Sequence, residues 1–356
     1  MKPKVLNEGD KVAIISLSRG LLGEPFIKHE LDLGIKRLKE YGLDVVVMPN
    51  ALKGMEYLQK HPEDRASDLK QAFLDPDIKG IICAIGGDDT YKTIPYLMED
   101  KEFIDAVKNN PKIFIGFSDT TNNHLMLNKL GLNTFYGPSF ITDLAELDKE
   151  MLPYTKSYFE KLFTGEPYEI ISSNFWYLER EDFSEKALGT PRIKKEETHG
   201  FETLNGSGSR TGKLYGGCLD SLYDAYVGER YGDEHKVYEK YNLYLTEKEW
   251  KEKILFLETS EEQPTPEKLE DMLIEFKNRN ILKLVQGIIV GKPMDEKYYE
   301  EYKKVYKKVF SDIDTPVLYN INFGHSTPRC ILPYNISTTV DYDNKRIIIN
   351  ESILEK

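Results

Sequence analysis

Five short apolar runs in the first 140 residues, each separated from the next by a helical pattern or a turn, constrain this chain more than any other feature. The runs cover residues 11–17, 44–48, 80–85, 112–117 and 133–136. Between them the spacing predicts helices over 25–41, closed by Gly42, and over 62–74, with Pro62 in the first turn and Pro76 just past the end. A shorter helix holds Ile94 and Leu97, and another starts just after Ser118. Strands that are apolar throughout have no face to give to water. Alternating with helices, they imply a parallel sheet covered on both sides, and so a flavodoxin-like or Rossmann-like α/β domain. In such sheets ligands collect at the C-terminal ends of the strands.

The alternation breaks at about residue 167. From there to Gly212 the chain is rich in Glu, Lys, Ser, Thr and Gly, a polar loop of a length that is either functional or disordered. Strand signals return at 253–257, 287–290 and 316–321, with helices predicted over 218–227, 266–280 and 295–310. Residues 336–349 read as a hairpin turning at Asp343 and Asn344. The expected organisation is an N-terminal α/β domain over 1–165, an insertion and linker over 166–212, and a smaller C-terminal α/β domain with a terminal hairpin over 213–356.

Composition narrows the function. The 48 basic and 60 acidic residues leave a net charge of −12, which disfavours nucleic acid as a general partner because phosphate neutralisation needs a basic face. Cys83, Cys218 and Cys330 have no metal-ligand spacing and no disulfide framework. No apolar stretch of about 18 residues is present to span a membrane, and the N-terminus has no signal-peptide pattern. A cytoplasmic protein without metal or cofactor is the expectation.

The fourth run stops at Gly116, and a helical pattern begins after Ser118. A serine on so sharp a turn has its hydroxyl pushed out of the sheet edge, with unpaired backbone N–H groups of a helix start behind it. Ordinary N-cap serines occupy the same kind of turn. A nucleophilic serine also needs a base, and the base an orienting group. His124 is six residues along the same helix, about 9 Å away along the axis, and should not reach the hydroxyl. His29, His61 and His235 have polar contexts, and His199 lies in the irregular segment. His325 follows a strand and Gly324, and Glu258 ends another strand. Glu261 and Glu262 compete with Glu258, but their loop is expected to point them to water. Ser118, Glu258 and His325 thus all fall at strand ends, in the chain order of other hydrolases on parallel sheets.

Gly86, Gly87, Asp88, Asp89 and Thr90 end the third strand. A Gly87 N–H there could join that of Asp119 in an oxyanion hole. Asp88 or Asp89 could equally be a helix N-cap. A phosphate-binding reading is opposed by Asp89, whose charge would repel phosphate unless a metal intervened.

Together these segments resemble the serine peptidases of the LD-carboxypeptidase family, and within it the microcin C self-immunity branch. The resemblance covers nearly the whole chain. It rests on residues 9–16, on Gly116 to Thr121, on 213–218, on 256–260 and on 322–325. It implies Ser118 as nucleophile, His325 as general base, Glu258 as its partner, a homodimer, no metal, and a cleft between two domains. Murein-recycling members show Arg-Gly-Gly-Tyr-Gly where this chain has Ile85, Gly86, Gly87, Asp88 and Asp89. Immunity-type members carry an insertion with aromatic residues that can stack on a nucleobase; here it holds Phe175, Trp176 and Tyr177. Phe201, where the branch often has Trp, and Cys218, commonly Asn, depart from the pattern. The resemblance implies an aminoacyl-nucleotide or peptidyl conjugate as substrate, with Asp88 and Trp176 as contacts. Alternatives are a murein tetrapeptide and a ligand-binding protein on the same scaffold.

Overall fold

A computed structural model describes all 356 residues. Strands β1 (Lys11–Ile15), β2 (Asp44–Val47), β3 (Ile78–Cys83), β4 (Ile113–Gly116) and β5 (Phe135–Tyr136) run parallel in the order β2-β1-β3-β4-β5. That is the flavodoxin-like order, whose direction reverses between β1 and β3. Residues of β1, β3 and β4 are almost all buried, as strands covered on both faces must be. Helices Lys28–Glu40, Pro62–Leu74, Lys101–Asn109 and Thr121–Lys129 supply the covering layers.

The segment expected as a polar loop carries four short strands: β6 (Glu169–Ile170), β7 (Phe175–Tyr177), β8 (Lys194–Glu196) and β9 (Glu202–Asn205). Next comes β10 (Ser209–Cys218), which starts inside that segment. It is followed by β11 (Lys253–Glu258), β12 (Gly287–Gly291), β13 (Val317–Ile321), β14 (Leu332–Pro333), β15 (Ser337–Asp341) and β16 (Arg346–Ile349). The second sheet has eight strands in the order β6-β16-β15-β10-β11-β12-β13-β9, and its centre, β10 to β13, is parallel. β15 and β16 form the expected terminal hairpin.

The short strand β14 leaves this half of the chain and pairs antiparallel with β5, joining the first sheet. One apolar cluster of 91 buried residues runs through both sheets, from Val12 and Ile81 to Ile254 and Ile288. The strand ends of both sheets that carry Ser118, Glu258 and His325 therefore meet at one cleft. No helix is long and apolar enough to cross a membrane.

Candidate active site

Ser118 leaves β4 with a left-handed backbone, φ +64°, and opens the helical turn Ser118–Thr120 ahead of the helix Thr121–Lys129. Positive φ is costly for a residue with a side chain, and it persists only where the surroundings enforce it. Here the Tyr136 hydroxyl accepts the Ser118 N–H at 3.0 Å and donates to Glu258 Oε1 at 2.5 Å. Gly86 makes the turn possible by its lack of a side chain: a Cβ there would lie 2.7 Å from Ser118 Cβ and 2.8 Å from its Oγ.

His325 comes from the loop after β13, and Glu258 is the last residue of β11. His325 Nε2 is 3.0 Å from Ser118 Oγ, while Nδ1 is 2.8 Å from Glu258 Oε2. The same carboxylate oxygen accepts the His325 backbone N–H at 3.2 Å. Gly324 must have no Cβ, since one would fall 2.3 Å from Glu258 Cγ, and its φ of +78° suits glycine. Arg329 steadies the loop by donating through Nε to the Gly324 carbonyl at 2.7 Å, and its Nη1 pairs with Asp143 at 2.6 Å. All three polar residues are buried, at 6, 1 and 9% exposure for Ser118, Glu258 and His325. A hydroxyl, an imidazole and a carboxylate in this relay can move a proton off the hydroxyl.

Glu261 corrects the sequence reading. Instead of facing only water, its Oε2 lies 2.9 Å from His325 Nε2. Burial by itself would depress the imidazole, but the charges and hydrogen bonds of Glu258 and Glu261 outweigh it and push His325 up to about 10.

The other candidates fall in different roles. His124 is buried and bonds to the Gly116 carbonyl and Thr134 Oγ1, not to Ser118, and burial lowers it to about 3. The Asp119 carboxylate is internal glue, accepting from Ser18 Oγ at 2.6 Å, Thr90 N–H at 2.8 Å and Asn122 at 2.9 Å. Asp89 is ion-paired with the fully buried Arg65 at 2.6 Å, which explains its charge without any phosphate. His199 stacks on Tyr299.

Two cavities adjoin Ser118. One, of about 360 Å³, is polar and carries Asp88, Asp220, Glu261 and Glu262 against Arg19 and Arg230. The other, of about 440 Å³, is walled by Phe26, Ile85, Phe117, Leu147 and Phe183, and also reaches His325. Trp176 lines neither. Its ring is 7% exposed with the Lys292 ammonium 5.1 Å from its centre, so it pins β7 to the body of the protein. The aromatic side chains that do face the apolar cavity are Phe26, Phe117 and Phe183.

Cys218 Sγ, Glu258 and His325 bring potential metal ligands within 4.8 Å of one another. A metal there would have to displace the hydrogen bond between Glu258 and His325 Nδ1. It would also have to ionise a thiol that burial pushes far up, so the donor set fits a proton relay better than an ion.

Residues 12–137 match the LD-carboxypeptidase N-terminal domain and residues 211–340 the LD-carboxypeptidase C-terminal domain. A solved MccF-like protein from Streptococcus pneumoniae, in complex with AMP, is 48% identical and superposes with a TM-score of 0.93, over 96% of this chain and 99% of its own. The microcin C7 self immunity protein MccF in complex with aspartyl sulfamoyl adenosine is 25% identical with a TM-score of 0.82, over 100% of both chains. A probable murein peptide carboxypeptidase of Bacillus subtilis (strain 168) is 27% identical, over 99% of this chain and 96% of its own. The chain belongs to the LD-carboxypeptidase family and is a serine peptidase.

Proposed function

We propose that this enzyme hydrolyses a terminal amide bond of an aminoacyl- or peptidyl-nucleotide through Ser118, His325 and Glu258. The observation that carries the reading is the unbroken relay from Ser118 Oγ through both ring nitrogens of His325 to Glu258, at 3.0 and 2.8 Å. Ser118 Oγ attacks the amide carbonyl carbon while His325 Nε2 takes its proton. Glu258 holds the ring by Nδ1–H and stabilises the imidazolium. The oxyanion falls to the backbone N–H groups of Gly87 and Asp119, the latter at a helix start. His325 then protonates the leaving nitrogen as the C–N bond breaks. Water, deprotonated by the same imidazole, releases the acyl group from Ser118.

The substrate class rests on the cavities and on the relatives. Both cavities are lined by Ser118, one polar and one apolar, which suits a conjugate of an amino acid with a nucleoside. The Streptococcus pneumoniae protein binds AMP, and MccF binds aspartyl sulfamoyl adenosine. Asp88 serves the aminoacyl part from the polar cavity, and Phe26 and Phe183 the base. Cleavage of a murein tetrapeptide is the second reading, favoured by the relationship to the murein peptide carboxypeptidase. The reading includes a homodimer, to be checked by light scattering. It also includes a cytoplasmic location, with which three buried free cysteines agree.

The test offers purified protein both an aminoacyl sulfamoyl adenosine and a murein tetrapeptide. Turnover of the nucleoside conjugate is expected, and turnover of the murein peptide alone would overturn the substrate assignment. Ser118→Ala should lower kcat by about 10³-fold or more, leaving only what binding and the oxyanion donors supply. A variant of near-normal kcat would refute the assignment of the nucleophile.

A further inference from the structure

Two residues lining the apolar cavity beside Ser118, Glu30 and Arg192, each leave one buried polar atom without a hydrogen bond. Glu30, in the first turn of the helix Lys28–Glu40, is 1% exposed, lines this cavity, and leaves its Oε1 without a hydrogen-bond partner. The ring nitrogen His29 Nε2 stands 3.9 Å away and is engaged by the Phe183 carbonyl. Arg192, 7% exposed, lines the same cavity. It spends Nε on Glu146 at 2.5 Å, and its Nη1 faces Glu179 Oε1 at 3.2 Å without a hydrogen bond.

A carboxylate in a helix's first turn gains from the helix dipole. That explains a charge near the helix start, but not a buried oxygen with no donor, whose lost hydration stays uncompensated unless something else supplies one. Apolar walls with a few unsatisfied polar atoms are the usual make-up of a site that orients a flat, heteroatom-bearing ligand.

We infer that Glu30, assisted by Arg192, reads the amino edge of the ligand's base, its carboxyl accepting from an exocyclic amine while Arg192 Nη1 donates to a neighbouring ring acceptor. The inference rests on the nucleotide reading above and adds a base specificity to it. Adenine has that pairing of amine and ring acceptor; hypoxanthine has a carbonyl in place of the amine. Phe26 and Phe183, 59 and 42% exposed at the cavity wall, offer ring faces to the base. Burial, then the Glu146 charge, pushes the Glu30 carboxyl up to about 7 against the pull of Arg180 and Arg192.

The experiment is calorimetric titration of the full-length protein with AMP and with IMP. Wild type should bind AMP about tenfold more tightly than IMP, since a site built around a hydrogen bond rejects a ligand that cannot make it. Glu30→Leu should abolish the difference, and Glu30→Gln, which keeps an acceptor in place, should retain it. Equal affinities in wild type, or a preference that survives Glu30→Leu, would overturn the role of Glu30 and leave nucleotide binding standing. No AMP binding at all would overturn the nucleotide reading and this inference with it. Circular dichroism of Glu30→Leu guards against misfolding, and Glu30→Ala, which also removes the acceptor and should likewise abolish the difference, takes its place if that variant fails to fold.

Discussion

The imidazole of His325 meets Ser118 Oγ and Glu261 Oε2 through the same nitrogen, Nε2, at 3.0 and 2.9 Å. A proton on Nε2 satisfies Glu261, but a base must have that nitrogen free to take the proton of Ser118. With Glu258 on Nδ1 as well, the ring is held as imidazolium up to a pH of about 10. Both carboxylates thus favour the charged ring over the free base. Asp220, close enough to feel the His325 charge, adds to the same bias. The sign of the effect follows. A carboxylate on the ring raises the imidazolium pKa, so removing its charge lowers the pH at which the free base appears. Glu261→Gln should move the acid limb of the kcat/KM profile, which reports the free enzyme, to lower pH. A limb lying one pH lower leaves roughly tenfold more free base at pH 7, and with it roughly tenfold more activity. An unmoved limb would mean that Glu261 leaves the ring without cost. Sequence alone had no access to this contact: Glu258 ends β11, whereas Glu261 lies three residues on in the loop, and whether it turns inward is decided by the path of that loop, not by residue type.

At the level of elements, the ends of strands carry the chemistry, and their lengths decided what could be read. Runs such as Lys11–Ile15 and Ile113–Gly116 are buried on both faces, and an apolar stretch bounded by turns reveals them. The turn at Ser118 was legible for the same reason. β6 to β9 were not, because strands of two to four residues with polar or half-buried side chains offer no period to detect. Trp176 reads as a stacking platform only while Lys292, more than a hundred residues later in the chain and lying over its ring, is out of view. Glu30 and Arg192 become cavity partners only because a helix of the first half docks beside the insertion. The loop after β3 is held to tighter tolerances. Gly86→Ala would press a methyl to within 2.7 Å of Ser118 Cβ, displacing the hydroxyl from His325 rather than disturbing the core. A misplacement of about 1 Å costs on the order of 10²-fold in rate, so kcat should fall at least that far while the far-UV circular dichroism stays native. Wild-type kcat in a folded Gly86→Ala variant would show that the loop gives way without cost.

For the molecule as a whole, Ser118 belongs to one sheet, and His325 and Glu258 to the other. The relay exists only while the halves are docked, and several features hold them together. The Tyr136 hydroxyl reaches Glu258 from β5, Asp143 pairs with Arg329 at 2.6 Å, and β14 completes the first sheet from the far end of the chain. The buried apolar cluster of 91 residues is continuous across both sheets. Cooperative unfolding of both halves together is the consequence. The two tryptophans make this measurable, because Trp176 and Trp250 both lie beyond residue 165, whereas the helices that dominate the far-UV signal come from both halves. Urea titration followed by tryptophan fluorescence, far-UV circular dichroism and residual activity should give transitions with the same midpoint. A fluorescence transition well separated from the loss of far-UV signal would mean that the halves fold independently. Activity lost well before either would mean that the cleft opens before the cores melt.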